Sequence, residues 1–577
     1  MRFLRHHSNP FLPGKQISLR RRLAIHFLSG IFVAGLLFIL LFGTLCLIFP
    51  LPDKINYATC ILDDHGQVVH AFLPEDQQWR MRLDSNELTP LLKNTILFKE
   101  DKYFFYHPGI NPVAVLKALT GNLIHGKIRS GASTITMQVA RALEPKKRTW
   151  LNKFRELFRA GQLELKYSKK EILELYLNLV PYGGNIQGVK AASLFYFNKN
   201  PDHLSLAEIT TLSIIPNRPS SLIIGKTNDR IINARNQWLK KFETQKLFTA
   251  KEIEDALREP LTATRHNPPV FIPQLSLKLK RSGRERIATH IDMNKQFKLE
   301  KLVADYIQAG RLKNIRNAAV VVINNETHQV VSYIGSADFR DTTDGGQVNG
   351  AAAIRQPGST LKPLLYGLCM DEGLLTPKQT INDVAVNYQG YAPENFDRKF
   401  NGSVTMEYAL EHSLNIPAVR SLQLLGEDRL IQALAVCNFT SVKKDQVKLG
   451  LSMILGGCGA NLEQLTGLFS IFANQGLYYE SSFQDQDSCI RPKRILTASS
   501  AYMINEILSK VNRPDFPLNW QSTAHLPKIA WKTGTSYGRR DAWSIGYNRH
   551  YTVGVWCGNF SATGIPELSG ATTATPL

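Results

Sequence analysis

The longest uncharged run of the chain lies near its N-terminus. Residues 23–49 carry no charged side chain, whereas residues 1–22 carry six basic side chains and no acidic one. About 20 apolar residues are enough for a helix to cross a bilayer, and a basic flank stays on the cytoplasmic side. The pattern predicts a cytoplasmic basic tail over residues 1–22 and a transmembrane helix over residues 23–49, with the remaining chain outside the cytoplasm.

Two other interpretations of this run are weaker. A cleaved signal peptide has a shorter apolar core and ends in a small-x-small cleavage site, and no such site follows LIFPLPDK (residues 47–54). Cys60 could accept a lipid, but the charged Asp53 and Lys54 separate it from the apolar run. A single-pass anchor is therefore the favoured interpretation.

Beyond the anchor, the pattern of apolar positions changes from helical to strand-like along the chain. The segment FTAKEIEDALREPL (residues 248–261) indicates a helix, and the proline-marked RHNPPVFIPQ (residues 265–274) follows it. AAVVVINNETHQVVSYIGS (residues 318–336) then has two alternating apolar runs around Asn-Asn-Glu-Thr-His, which is typical of a β-hairpin. This change predicts one domain over residues 55–245, a linker over 246–310 and a second domain over 311–577.

Composition and charge narrow the classes of function. A chain of 577 residues with 44% hydrophobic and 20% charged residues is globular and long enough for two or three domains. Its net charge of +21 favours an anionic partner such as nucleic acid, a membrane surface or a phosphorylated substrate. Nucleic acid is excluded, because no zinc-finger spacing, leucine heptad or basic and aromatic platform accompanies the charge. The pairing of the cysteines beyond the anchor stays open.

Two glutamates with basic neighbours mark candidate chemistry in the first domain. Glu100 stands close to the aromatic residues 103–105, which we expect to exclude water from its carboxylate and so to suit it as a base. Glu156 follows Lys153 by three residues on a predicted helix, and Arg141 lies on the helical segment before it. Two carboxylates flanked by cations indicate sugar transfer from a phosphorylated donor.

Five segments in order between residues 98 and 220 resemble the consecutive signatures of the peptidoglycan glycosyltransferases of lysozyme-like fold. They are EDKYFFYHPG, GASTITMQVAR, NKFRELFRAGQLE, YLNLVPYGGNIQGVKAASLFYF and LSLAEITTLSIIPNRPS. The resemblance implies that an acceptor sugar's 4-hydroxyl attacks the anomeric carbon of a lipid-linked chain with inversion, while Glu100 takes the proton and Glu156 is the second carboxylate. It also implies a set of residues that bind the substrate and its pyrophosphate: Gln138, Arg141, Lys153 and Arg148, with Lys147 assisting.

Some features of this domain leave alternatives open. A glycosidase also uses two carboxylates, but it needs neither an anchor nor cations for a pyrophosphate. Asn152 stands where the family commonly has arginine, so one pyrophosphate contact is absent or is supplied by Arg148. His107 has no partner at metal-ligand spacing, so a structural hydrogen bond is favoured and no metal site is predicted. No cofactor is required, although a divalent cation could add to the charge at the pyrophosphate.

Three short motifs in the second domain indicate a nucleophilic serine. They stand in the order Ser359-x-x-Lys362, Ser413-x-Asn415 and Lys532-Thr533-Gly534-Thr535. A serine hydroxyl is a weak nucleophile until a base takes its proton, and a lysine kept neutral by burial and a cationic neighbour can do so from one helical turn away. Ser441 and Lys444 have the same spacing as the first motif, but no other motif supports them.

These motifs are similar to those of the penicillin-binding and β-lactamase superfamily. The resemblance implies an acyl-enzyme at Ser359, formed on a D-Ala-D-Ala stem peptide and passed to an amine on a neighbouring strand, and a β-lactam trapped at the same serine. Lys362 is then the base, and Ser413 passes the proton to the leaving amine. The backbone amides of Ser359 and Thr535 form the oxyanion hole. The remaining implied residues bind the donor peptide: Asn415 its amide, Lys532, Thr533 and Thr535 its terminal carboxylate, and Gly534 by leaving space at the strand edge.

Together the two sets of motifs make the chain similar to the class A penicillin-binding proteins, and GSTLKPLLYGLCMDEGL, SMILGGCGANLE and KTGTSYGRRDAWSIGYN point to the 1C type. The resemblance implies a multidomain fold with the transmembrane helix, a mainly α lysozyme-like glycosyltransferase domain and an α+β transpeptidase domain. It implies a bifunctional peptidoglycan synthase of the inner membrane that acts on lipid II and nascent peptidoglycan, is inhibited by β-lactams and could bind other cell-wall synthesis proteins. The alternative is a glycosyltransferase whose serine domain only binds stem peptides or β-lactams as a sensor.

The end of the second domain is short by comparison with that family. Domains of this kind usually continue from the last strand, here within residues 550–560, into a helix over the back of the sheet. We therefore expect three or four large apolar side chains to be exposed there, at a cost of about 1.5 to 3 kcal/mol each. We also expect the transpeptidase domain to be the less stable of the two.

Overall fold

The computed structural model describes residues 19–52, 54–114, 133–147, 149–484, 491–511, 513, 515 and 528–577, and it describes side chains of the first helix from residue 28 onward. The chain divides into two compact units. Unit 1 comprises Met1–Tyr57 and Glu75–His266, and unit 2 comprises Ala58–Pro74 and Asn267–Leu577. The predicted boundaries differ from this division, because residues 58–74 form strands within unit 2 and the predicted linker is divided after His266.

The helices and strands are numbered in chain order. The described helices are α1 (Leu19–Ile48), α2 (Pro90–Glu100), α3 (Ile135–Leu143), α4 (Trp150–Lys166), α5 (Lys169–Leu179), α6 (Val189–Phe197), α7 (Leu206–Ile214), α8 (Asn228–Thr244), α9 (Ala250–Arg258), α10 (Pro273–Lys280), α11 (Met293–Gly310), α12 (Lys362–Asp371), α13 (Met406–Glu411), α14 (Asn415–Leu425), α15 (Glu427–Val436), α16 (Thr440–Asp445), α17 (Leu462–Ala473) and α18 (Ala498–Leu508). The described strands are β1 (Thr59–Leu62), β2 (Val68–Phe72), β3 (Trp79–Arg80), β4 (Pro181–Gly183), β5 (Ile186–Gln187), β6 (Arg286–Ala288), β7 (Asn317–Asn324), β8 (Val330–Ile334), β9 (Thr380–Asp383), β10 (Gly402–Thr405), β11 (Leu477–Tyr478), β12 (Lys493–Arg494), β13 (Ala530–Thr535), β14 (Asp541–Tyr547) and β15 (Tyr551–Gly558).

Helix α1 corresponds to the predicted anchor. It begins at Leu19, four residues before the predicted start, because arginines 20–22 are good helix formers and extend it. The segment Leu28–Ile48 is long and apolar enough to cross a membrane, and none of it is buried inside the protein. Within unit 1, Phe42 of this helix packs edge-on against Phe158 of α4, with ring centroids 5.3 Å apart. A helix of this kind is consistent with an inner-membrane anchor.

Unit 1 is built mainly from helices, with one small sheet of order β3-β5-β4. Helix α3 packs against α4 and α5, while α2 packs against α7. Helix α3 buries Ile135, Val139 and Ala140, and this leaves Gln138 and Arg141 half-buried together at its other side. The amphipathic pattern of α3 therefore presents two polar side chains, one turn apart, to the candidate site.

Unit 2 is organised around a five-stranded antiparallel sheet of order β13-β14-β15-β7-β8. The predicted β-hairpin is confirmed by the antiparallel pairing of β7 with β8. Helix α17 packs on β7 and β15, and α12 packs against α14 and α18. Strand β13 lies at one edge of the sheet, so its Lys-Thr-Gly-Thr segment pairs with β14 alone among the described strands.

The back of this sheet is covered, which makes one expectation from the sequence wrong. Val320, Val322 and Val555 face a core that also contains Val303 and Ile307 of α11 and Ile565, Leu568 and Ala574 after the last strand, and all of these side chains are buried. Residues 570–574 form a single π-helical turn against the sheet. The expected exposed apolar side chains are therefore absent among the described residues, because α11 and the segment after β15 bury them.

The described cysteines of unit 2 are structural. Cys60, Cys369, Cys437, Cys458 and Cys557 are buried, and the last four carry free thiols. Burial raises the pKa of the last four thiols to about 12, so they stay protonated and unreactive. These four cysteines contribute packing rather than crosslinks.

Candidate active sites

Glu100 is the last residue of α2. The helix is fixed at its start by Thr89, whose side chain accepts a hydrogen bond from the backbone N–H of Leu92 at 3.2 Å. It ends where Asp101 leaves the helical conformation. The Asp101 carboxylate instead accepts a hydrogen bond from the N–H of Ile135 at the start of α3, at 3.1 Å. One residue after the candidate base, the chain therefore ties α2 to α3.

Asp101 also explains His107. The His107 Nε2 atom lies 3.0 Å from Asp101 Oδ1, and both side chains are buried. No group of three or more metal-ligating side chains is found among the described residues. The geometry agrees with the structural hydrogen bond that the sequence favoured for this histidine.

The Glu100 carboxylate is held by two donors. Its Oε1 atom is contacted by the Lys99 ammonium, and its Oε2 atom accepts a hydrogen bond from Gln138 Nε2 at 2.8 Å. Only 4% of the Glu100 side chain is exposed. The expected reason for this burial is wrong in part, because Tyr103 and Phe105 face solvent and only Phe104 of the aromatic cluster is buried.

Glu156 is bound by two cations. Arg141 donates to it through Nε at 2.7 Å and through an Nη at 3.0 Å, and Lys153 Nζ donates at 3.0 Å. Burial alone would raise the pKa of the Glu156 carboxyl, but these hydrogen bonds outweigh burial and the net shift is downward. The hydrogen bonds also raise the pKa of Arg141. Glu156 is therefore a carboxylate, and Arg141 stays charged beside it.

Helix α3 connects the two carboxylates. Gln138 and Arg141 are three residues apart, so they share a face of the helix, and one holds Glu100 while the other holds Glu156. A cavity of about 240 Å³ lies beside them. Its lining joins polar and apolar side chains: Gln138, Arg141, Lys146, Tyr176, Leu179, Val180, Pro181, Gln187 and Pro216.

Lys147, the assisting cation that the resemblance implied, does not join the cluster. Lys147 is exposed, and its carbonyl oxygen accepts a hydrogen bond from Asn152 Nδ2 at 2.8 Å. Asn152, which replaces the arginine common in the family, thus stabilises the turn before α4. Arg148 lies outside the described residues.

In unit 2, two glycines bring the Ser359 turn against β13. Gly358 has φ +57°, and a Cβ atom there would lie 2.6 Å from the carbonyl oxygen of Thr535. A Cβ atom on Gly534 would lie 2.3 Å from the carbonyl oxygen of Pro357. The missing side chain of Gly534 therefore makes room for the serine turn, and its role in leaving space for the substrate stays a prediction.

Lys362 begins α12 and is fully buried. Its Nζ atom lies within hydrogen-bond distance of three oxygens, the carbonyls of Ser413 at 2.7 Å and Leu414 at 3.0 Å and Asn415 Oδ1 at 2.8 Å. The neutral amine has two N–H groups and donates to two of these oxygens at a time. Burial, and after it the charge of Lys532, lower the pKa of Lys362 well below its ordinary value. All three partners are neutral acceptors, so nothing in contact with Lys362 compensates a positive charge.

Ser413 joins Lys362 to β13. It has φ +54°, a left-handed conformation at the end of α13, and the N–H of Leu414 closes the turn on the carbonyl of Ala409 at 2.9 Å. Ser413 Oγ accepts a hydrogen bond from Lys532 Nζ at 2.7 Å. Burial lowers the pKa of Lys532 to about 7. Strained non-glycine residues of this kind are concentrated at functional sites.

Asn415 is held by a polar network that sequence reasoning missed. Its backbone N–H donates to Asn395 Oδ1 and its Nδ2 donates to the carbonyl of Glu394, both at 2.7 Å. Asn395 Nδ2 in turn donates a hydrogen bond to the carboxylate of the fully buried Asp383 at 2.8 Å. Asn401 Nδ2 donates to the same carboxylate at 2.7 Å. No spacing rule joins these positions to Asn415, so the sequence carried no signal for them.

The remaining predicted residues of unit 2 are two threonines of β13 and the second Ser-x-x-Lys pair. Thr533 and Thr535 alternate with Lys532 along β13, and Thr535 Oγ1 accepts a hydrogen bond from the N–H of Gly570 at 3.0 Å. The Ser441 hydroxyl donates to the carbonyl of Gly459 at 2.6 Å, while Lys444 is exposed. The second Ser-x-x-Lys pair therefore forms no site.

Comparison with known proteins agrees with this geometry. Residues 65–243 match the transglycosylase family, and residues 318–565 match the penicillin-binding protein transpeptidase domain. Penicillin-binding protein 1C of Escherichia coli (strain K12) is 35% identical over 92% of this chain and 68% of its own length. Penicillin-binding protein 1F of Bacillus subtilis (strain 168) is 31% identical over 86% of this chain and 73% of its own length. A crystal structure of penicillin-binding protein 1A from Haemophilus influenzae shares the fold, with a TM-score of 0.53, 17% identity and 91% of each chain covered.

Two domains of these kinds in one chain define a combined glycosyltransferase and serine transpeptidase. The chain belongs to the class A penicillin-binding proteins. It is a bifunctional peptidoglycan synthase, and the fold class and family predicted from the motifs are confirmed.

Proposed function

We propose that Glu100 is the base of glycan polymerisation. In this mechanism the carboxylate takes the proton of the acceptor's 4-hydroxyl as that oxygen bonds to the anomeric carbon of a lipid-linked chain, and the polyprenyl pyrophosphate leaves with inversion. The observation that carries the proposal is the pair of contacts from α3, which tie Gln138 to Glu100 and Arg141 to Glu156. One face of α3 thus contacts both the proposed base and a carboxylate that is bound by cations. A base can activate the hydroxyl that attacks, and cations stabilise the anion that leaves.

Arg141 and Lys153 are the proposed cations for the pyrophosphate. Their side chains are 30% and 39% exposed, so each can turn a donor toward a ligand while Glu156 orients it. Arg148 stays a prediction for the same role. A divalent cation would need oxygen ligands, and the carboxylate nearest this position is already bound by two cationic side chains. The divalent cation also stays a prediction.

Ser359 is the proposed nucleophile for cross-linking. Lys362 takes its proton as the oxygen attacks the donor's carbonyl carbon, and Ser413 passes a proton to the D-alanine amine that leaves. The buried Lys362, with neutral partners and a lowered pKa, supports a lysine that is unprotonated when it acts. Asn415 and Lys532 bind the donor's amide and carboxylate, with Thr533 and Thr535 as further predicted contacts and the N–H groups of residues 359 and 535 as the oxyanion hole.

The anchor completes the proposal. The basic tail before α1 stays in the cytoplasm, and both catalytic domains lie outside it, beside the lipid-linked substrate. Lipid II and nascent peptidoglycan are the substrates, β-lactams acylate Ser359, and other cell-wall synthesis proteins stay a prediction. A sensor domain that only binds stem peptides is less well supported, because a sensor has no use for a buried lysine with a lowered pKa three residues after its serine.

The test is incubation of the full chain with lipid II, with and without a β-lactam, followed by separate measurement of glycan chains and cross-links. We expect cross-linked chains without the drug and chains of similar amount but without cross-links in its presence. Chains without cross-links in both conditions would favour the sensor, and the absence of chains in both would contradict the glycosyltransferase.

A further inference from the structure

Lys99, the residue before Glu100, is a second charged side chain buried in the glycosyltransferase site. Only 1% of its side chain is exposed. Its Nζ atom contacts Glu100 Oε1 and donates to the carbonyl oxygen of Ser213 at 2.6 Å. Lysine is almost never buried to this extent unless its charge is paired. The burial therefore indicates a function for the ammonium group.

The second contact helps Lys99 to stay charged. Ser213 is the penultimate residue of α7, and carbonyl groups at a helix C-terminus lack intrahelical partners and attract cations. Burial lowers the pKa of Lys99, whereas the charge and hydrogen bond of Glu100 oppose that shift. The ammonium is thus held between a carboxylate and a helix terminus.

Lys99 and Gln138 together fix the Glu100 carboxylate. Each occupies a different oxygen, and a carboxylate oxygen has two lone-pair sites. Each oxygen therefore keeps one site for the hydroxyl of the acceptor sugar. The carboxylate is oriented without being blocked.

The other groups around Glu100 supply no charge in contact with it. Burial, and after it the charge of Glu100, raise the pKa values of Tyr176 on α5 and Tyr182 on β4, so both phenols are neutral. Arg141, on the same helix as Gln138, is engaged by Glu156. From α8, the Trp238 ring lies 6.0 Å from Lys99 Nζ. Among the described residues, Lys99 is the cation that contacts the base.

We propose that Lys99 is a positioning residue that balances the buried charge of the Glu100 carboxylate and fixes its direction for accepting a proton. The inference rests on the proposed role of Glu100. Burial disfavours the charged form of a carboxyl group, and an ammonium in contact with it opposes that effect. Lys99 itself takes no proton: the acceptor's proton moves to Glu100 as the new C–O bond forms and the bond to pyrophosphate breaks.

The experiment is the pH dependence of kcat/KM for lipid II polymerisation by the full chain and three variants. Lys99→Gln keeps a hydrogen-bond donor without the charge, Lys99→Arg keeps the charge, and Lys102→Gln is the matched control at an exposed lysine three residues away. We expect Lys99→Gln to move the acid limb to higher pH by about one to three units. Lys99→Arg should keep the limb near that of the unchanged protein, and Lys102→Gln should not move it.

An acid limb that stays in place in Lys99→Gln would overturn the proposal. If that variant unfolds too readily for kinetics, thermal unfolding decides instead: we expect Lys99→Gln to lower the melting temperature and the double variant Lys99→Gln/Glu100→Gln to recover part of the loss. Additive effects of the two changes would also overturn the proposal. Failure of the underlying function would look different, because polymerisation would then survive Glu100→Gln alone.

Discussion

The two candidate sites bury proposed bases of opposite charge type, and each places a lysine nearby. Glu100 must carry a negative charge to accept a proton, whereas Lys362 must be neutral. Burial disfavours the charged form of either group, so it works against Glu100 and in favour of Lys362. Lys99 contacts Glu100 directly, while Lys532 reaches Lys362 through Ser413, whose hydroxyl and carbonyl oxygens each bind one of the two lysines.

The comparison shows that a neighbouring lysine can favour the unprotonated form of two different kinds of base. A neighbouring ammonium opposes protonation of a carboxylate and of an amine alike. The carboxylate depends on direct contact with the cation because burial opposes its charge. The amine receives most of its shift from burial, and the cation adds to it. The contacts of Lys362 fit this account, since all of its hydrogen-bond partners are neutral.

The largest expected effect is the loss of penicillin labelling when the proposed nucleophile is removed, with glycan polymerisation unaffected. Ser359→Ala should abolish covalent labelling by a fluorescent penicillin, because the change removes the hydroxyl on which the proposed acyl bond forms. Glycan polymerisation should continue. Ser441→Ala is the matched control and should label normally. Labelling that survives the first change, or is lost with the second, would break the assignment of the nucleophile.

The next effect separates the carboxylate site in the same way. Glu100→Gln should reduce glycan polymerisation by about 10² to 10⁴-fold, the usual loss when a positioned base is removed. Penicillin labelling should be unchanged, because Glu100 and Ser359 belong to different units. Glu174→Gln, at an exposed position, serves as the control and should polymerise normally. Near-normal synthesis of glycan chains by Glu100→Gln would remove the base from the mechanism.

A smaller effect sharpens the account of the serine site. Asn395→Ala should slow penicillin acylation about tenfold, because leaving the buried N–H of Asn415 and the Asp383 carboxylate with fewer partners costs about 1 to 3 kcal/mol. Asn401→Ala removes a contact to the same aspartate without touching Asn415. Acylation rates of the two variants, measured beside their melting temperatures, give the comparison. Equal slowing in both would mean that the network only stabilises the fold.

The sequence predicted what is local along the chain. The hairpin of β7 and β8 and the spacing of Ser359 and Lys362 depend on residues a few positions apart, so the sequence pattern shows them. The Glu100 segment is identified by its resemblance to a family signature, which is also local in sequence. The missed features depend on distant segments. Asn395 meets Asn415 and Lys99 meets Ser213 only after the chain has folded.

The same reason explains the wrong expectation about the back of the sheet. Its cover comes from α11 and from residues after β15, and the burial of Ile565 and Leu568 depends on how a short segment folds back onto Val320 and Val555. No apolar periodicity marks that segment as a cover. Whether the back of the sheet is covered therefore depends on tertiary packing, and a comparison of domain lengths does not predict it.

The most direct test of the central claim is a pair of pH profiles, for polymerisation and for first-order acylation at saturating β-lactam, in the unchanged protein, Lys99→Gln and Lys532→Gln. Burial lowers the pKa of Lys532 to about 7, so its charge is present mainly below that pH, where it holds the pKa of Lys362 down. Removing it should raise the pKa of Lys362, and a protonated Lys362 cannot accept a proton. The acid limb of acylation should then move to higher pH.

Each variant should move only the profile of its own site. The account predicts that Lys99→Gln shifts the acid limb of polymerisation upward and leaves acylation in place, and that Lys532→Gln does the reverse with the smaller shift. Unmoved limbs in both variants, a downward shift in either, or one variant moving both profiles would contradict it.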